Sequence, residues 1–181
     1  MMAWHLSRIA AAAGLCLVAA ACASAPPSSL QDQGGALDGV RVELPTQPLE
    51  CVPYARVRSG IAIYGDAWTW WDQAAGHYPR THAPAVGAVL VFSRDGGPPG
   101  GHVAVVRAVT TEREIRVDHA NWLGRDRVFL NDPVRDVSAA NDWSRVRVWN
   151  PDTKGWGIHD YPITGFILPG PARVALETPG S

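Results

Sequence analysis

The stretch HVAVVRAVTTEREIRVDHANW, residues 102–122, decides the fold. Two runs rich in Val and Ile, 102–109 and 114–122, flank the short polar link TTER, which is the pattern of two antiparallel strands joined by a tight turn. Working outward, AVLVF (88–92) precedes them across RDGGPPGG, a cluster of turn residues, and reads as a third strand. RVRVW (145–149) and TGFIL (164–168) read as two more. Ahead of the strands the period changes. CVPYARVRSG (51–60) carries Pro53 in its first turn and Gly60 as a stop, so a short helix is expected with Cys51 at its N-terminus. GDAWTWWDQAAG (65–76) offers Asp66 as an N-cap, Ala67, Trp70, Trp71 and Ala74 at helical spacing, and Gly76 at the end. Helices followed by short-linked strands predict an α+β domain.

The ends of the chain read differently. MMAWHLSR followed by IAAAAGLCLVAA is a charged start and a short apolar run, the layout of an export leader over residues 1–25. The run falls short of the roughly 20 apolar residues of a membrane span. Ala23-Ser24-Ala25 suits an ordinary signal peptidase, whereas Ala19-Ala20-Ala21-Cys22 is similar to a lipoprotein box that would make Cys22 the lipid anchor. Residues 26–45, rich in Pro, Ser, Gln and Gly, read as a flexible tether, and 171–181 as a loose tail. One domain is expected between them, over 46–170. The expected location is the periplasm, or the outer membrane or cell envelope as an associated lipoprotein.

With 16 basic and 17 acidic residues there is no basic stripe of the kind that tracks nucleic acid. Of the three cysteines, Cys16 lies in the leader and Cys22 at its end, which leaves Cys51 alone in the folded part. A lone thiol in an exported chain is inert and buried, joined to another chain, or kept for reactivity. A helix N-terminus favours thiolate, so a lowered pKa is expected for Cys51. A thiol nucleophile also needs a base that is remote in sequence and near in space. Among the histidines, His102 stands out because it opens an apolar strand directly after glycines. No C-x-x-C or H-E-x-x-H spacing favours zinc, and LDGVRVELPTQPLE lacks the alternating carboxylates of a calcium loop. No cofactor is expected, and the chain is expected to be a monomer.

CVPYAR, SGIAIYGDAWTWW, YPRTHAPAVGAVLVF, GHVAVV, VDHANW and GFILP, taken in this order, resemble the cysteine, histidine-dependent amidohydrolase/peptidase (CHAP) domain of bacterial cell-wall hydrolases. The resemblance spans about residues 50 to 168. It implies a papain-like fold with N-terminal helices packed on an antiparallel sheet, Cys51 as nucleophile and His102 as base. It also implies peptidoglycan as substrate, cut between muramic acid and L-alanine or within the stem peptide and cross-bridge. The family often has Glu-x-Asn-Trp where this chain has His119-Ala120-Asn121-Trp122. His119 is therefore the expected third residue, with Asn121 as a polar helper. Strand alternation sends Asp118 to the opposite face. Tyr54 is a candidate for shaping an oxyanion pocket and Trp122 for lining a substrate groove, each weighed against plain packing. Trp70 and Trp71 are expected in the core. The other reading is a non-catalytic wall-binding or scaffolding lipoprotein that retains the fold; it would need neither Cys51 nor His102.

Overall fold

The structure is a computed structural model that describes residues 39–95, 99–124 and 126–170. The leader, Cys22 and the tail at 171–181 lie outside these residues. Nine strands and two short helices run in the order β1 (Arg41–Glu43), α1 (Cys51–Ser59), a single 3-10 turn (Ala67–Thr69), α2 (Trp70–Gln73), β2 (Arg80–Thr81), β3 (Val89–Phe92), β4 (Val103–Thr111), β5 (Glu114–Ala120), β6 (Val128–Asp136), β7 (Arg145–Asn150), β8 (Gly155–Trp156) and β9 (Tyr161–Ile167). β1 falls within the stretch read as tether and pairs with the first residues of β6.

The strands close on themselves. The pairings β6–β5, β5–β4, β4–β3, β3–β9, β9–β7 and β7–β6 are all antiparallel and form a six-stranded barrel. This corrects the expectation of an α+β papain-like domain with N-terminal helices on an open sheet. The described residues are mostly β, and the helices amount to nine residues in α1 and four in α2. The element that closes the barrel is β6, VFLNDPVRD. It pairs with β5 along one edge, while its other edge holds β1 at 128–130 and β7 at 134–136.

Closure explains why several strands are apolar on both faces. Leu90, Phe92, Ala104, Val106, Ile115, Val117, Val134, Val146 and Phe166 fill the barrel. Val89, Val91, Val103 and Val105 point the other way and pack with Ala55, Ile61, Ala67 and Trp70. α1 is thus pinned to the outside of the barrel wall at β4. It ends where Gly60, at φ 74°, takes the left-handed conformation and donates its N–H to the Arg56 carbonyl. Trp70 is fully buried in this outer layer and Trp71 packs at its edge, against Gly165.

Candidate active site

Cys51 is the first residue of α1, and the outer layer that includes Val103 packs around it. The backbone N–H groups of Val103, Val52 and Cys51 itself lie near its sulfur and favour the thiolate. Val103 follows His102, so the thiol sits beside the start of β4. Burial nevertheless pushes the Cys51 pKa up, and the Glu50 carboxylate pushes it further; the three N–H groups oppose both without prevailing. The lowered pKa expected from the helix N-terminus is therefore reversed, because desolvation outweighs the partial charge of the helix end.

The imidazole of His102 turns the opposite way from Val103, into the mouth of the barrel. Its Nε2 lies 2.9 Å from Nδ1 of His119, and Nε2 of His119 lies 3.0 Å from Oδ2 of Asp132. All three side chains are buried, at 2%, 0% and 0% exposure. Burial and the neighbouring His119 hold the His102 pKa well below the ordinary histidine value. Burial raises the Asp132 pKa, opposed by the hydrogen bond and charge of His119 and by the charge of Arg116.

Trp122 closes over this row. Its ring stacks on His119 at 5.7 Å and packs against His102, Phe92 and Tyr161. Phe129 meets His119 edge-on. The two imidazoles are thus enclosed by aromatic rings, which strengthens every polar contact between them.

Of the residues singled out in the sequence, His102 and His119 are hydrogen-bonded, Trp122 covers both, and Cys51 stands beside the residue after His102. Asn121 does something else: at φ 61° it donates its side-chain amide to the Glu50 carboxylate, next to Cys51, and so ties the end of β5 to the start of α1. Tyr54 lies among Asp118, Arg58, Glu43 and Arg107, and burial pushes its pKa up to about 12. Asp118 faces away from His119 as alternation requires. It accepts from Arg58 at 2.9 Å and from the Asn131 N–H at 2.8 Å.

Asp132 escaped the sequence reading because the strand that carries it did. β6 bulges here: Val117 pairs with Asp132 but His119 with Phe129, so three steps on β6 match two on β5. Asn131 takes the left-handed conformation, φ 60°, at the bulge. Asp132 consequently shares the inward face with Val117 and His119. The signal was present as a single acid inside the apolar run VFL…V, but it was masked by its Asn and Pro neighbours.

Residues 43–121 match the family model of the CHAP domain. Over that stretch the chain is similar to CHAP domains. The matched stretch holds Cys51, His102, His119 and Asn121 and ends before Asp132. A crystal structure of N-acetylmuramoyl-L-alanine amidase from Staphylococcus aureus is similar at a TM-score of 0.43 and 26% identity, over 64% of this chain and 30% of that one. The chain therefore spans less than a third of that amidase. No curated protein matches.

Proposed function

We propose that this CHAP-like domain is a peptidoglycan hydrolase that cleaves an amide bond by acyl transfer to Cys51. The observation that carries the reading is the buried row His102, His119, Asp132, together with a thiol at a helix start that lies beside Val103, the residue after His102. The CHAP match supplies the substrate class.

The roles follow from proton positions. Asp132 as a carboxylate accepts from Nε2–H of His119, so Nδ1 of His119 is bare and accepts from Nε2–H of His102. That leaves the lone pair of His102 on Nδ1. His102 Nδ1 takes the Cys51 proton as sulfur bonds to the amide carbon, and the carbonyl oxygen becomes an oxyanion held by N–H groups at the start of α1. The same proton passes to the leaving nitrogen as the C–N bond breaks. Water then attacks the thioester, His102 takes a proton from it, and the thiol leaves with that proton restored.

Both bonds that the family cuts, muramoyl–L-alanine and those within the stem or cross-bridge, fit this chemistry. Export belongs to the same reading: residues 1–25 act as a leader, cut at Ala25 or at a lipid-bearing Cys22. The domain then works as a monomer in the cell envelope.

Digestion of purified sacculi followed by mass spectrometry of the muropeptides tests the reaction. Wild type should release new free L-alanine N-termini or new amines within the stem, and Cys51→Ser should release neither while keeping the wild-type circular dichroism. Undiminished hydrolysis by Cys51→Ser would overturn the reading and favour a wall-binding role.

A further inference from the structure

We propose that Asp132 is a positioning residue that sets the proton polarity of the whole row and thereby makes His102 a base. This rests on the acyl-transfer reading above and deepens it.

The argument turns on what a neutral imidazole pair can do. His102 and His119 share one hydrogen bond, between Nε2 of the first and Nδ1 of the second. Two arrangements satisfy it. In one, His102 donates and keeps a bare Nδ1; in the other, His119 donates and His102 must carry its proton on Nδ1, where it has no lone pair to offer a thiol. The bond is as short in either case, so the choice is made by whatever holds the far nitrogen of His119. That group is Asp132, at 3.0 Å from Nε2. A carboxylate only accepts, so it selects the first arrangement. Oδ1 of Asp132 has no hydrogen-bond partner among the described residues, so the hydrogen-bonding capacity of the side chain is committed to His119.

Two features show that the carboxylate is placed rather than incidental. The first is the bulge, which gives β6 an extra residue and turns Asp132 to the face of His119. The second is the anchor behind it. The left-handed Asn131 donates its N–H to Asp118, and Asp118 is also held by Arg58 of α1. The helix that carries Cys51 and the bulge that carries Asp132 are thereby fastened to the same side chain, on the face opposite the row. The charged and titratable groups facing Asp132 are His119 and Arg116, both on β5; among the described residues the one that faces His102 is His119.

Nitrogen-15 NMR of the imidazoles in the intact protein reads the polarity directly and needs no substrate. At pH 7.0 wild type should show both His102 and His119 protonated on Nε2 with bare Nδ1. Asp132→Asn can donate as well as accept, so part of the population should change to protonation on Nδ1 in both rings. Its kcat on a soluble muropeptide should fall by at least about tenfold, with KM within about twofold, as expected when an orienting group is lost and binding is not. A wild-type spectrum with His102 protonated on Nδ1 would overturn the proposal even if the variant failed to fold. So would a folded Asp132→Asn with unchanged tautomers, whatever its kcat, because Asp132 would then merely pack. These outcomes are separable from failure of the acyl-transfer reading, which is judged by Cys51→Ser and leaves the spectra untouched.

Discussion

The charge state of Cys51 at rest can be measured by alkylation, and the structure sets what should be seen. An ordinary thiol, with a pKa near 8.5, is about 3% thiolate at pH 7. Cys51 lies above the ordinary value, chiefly through burial, so it should hold less than that. His102 lies well below the ordinary histidine value through burial and the adjacent His119, so it is neutral at pH 7. The pair is therefore thiol and imidazole, not thiolate and imidazolium. The sign is fixed by both shifts: raising a thiol pKa moves the onset of thiolate to higher pH, and lowering a histidine pKa removes the cation that would stabilise thiolate below it. The rate of iodoacetamide reaction at Cys51, followed by peptide mapping across pH 5 to 10, should rise about tenfold per pH unit up to at least about pH 8.5. His102→Ala should leave that profile nearly unchanged. A rate that is level between about pH 5 and 8 in wild type, and that loses this plateau in His102→Ala, would show a preformed ion pair and refute the reasoning.

Two further outcomes follow from the same geometry. A Cβ on Gly101 would stand 2.6 Å from the Trp68 backbone nitrogen at φ 75°, whereas one on Gly100, φ 84°, meets nothing within 4 Å. Gly100→Ala should cost only about 1–2 kcal/mol for the left-handed residue, while Gly101→Ala should push His102 off its place and cut hydrolysis by more than about tenfold besides. Asp118→Ala should lower the unfolding free energy in urea by about 1–3 kcal/mol, because the half-buried Asn131 N–H loses its acceptor. Asp118→Asn keeps an acceptor, and with Arg58 about a third exposed and able to rehydrate, it should lose about half as much; equal losses in the two variants would remove Asn131 from the explanation.

Strands with unbroken apolar runs were legible: 89–92, 103–111 and 114–120 lie within a residue or two of where Val and Ile cluster between turn residues. β6 was not, and with it went the barrel. Asn131, Asp132 and Pro133 in succession are turn chemistry by any local rule, yet here they sit mid-strand. Pro133 falls between the residues of β6 that pair with β1 and those that pair with β7, where that edge has no partner and a missing N–H leaves no ladder bond open. Asn131 is the left-handed residue of a bulge rather than of a turn. A tertiary gap between two partner strands made a poor strand sequence acceptable, and nothing local records that gap.

The candidate site divides in the same way. His102 and the face of His119 followed from position on legible strands, and alternation alone sent Asp118 to the outside. The protonation chemistry did not follow, because it depends on burial. A helix start taken by itself predicts thiolate; the same helix start packed against the barrel wall at Val103 gives a thiol. With both sulfur and imidazole neutral, the proposed acyl transfer would require charge to appear during attack and not before it. An imidazolium formed at His102 would be costly in its dry aromatic enclosure, and the group that offsets it is the carboxylate two links away, through a ring that Asp132 has already oriented. Asp132 thus acts on His102 both as the acceptor that fixes where the lone pair lies and as the charge that stabilises the proton once it has moved.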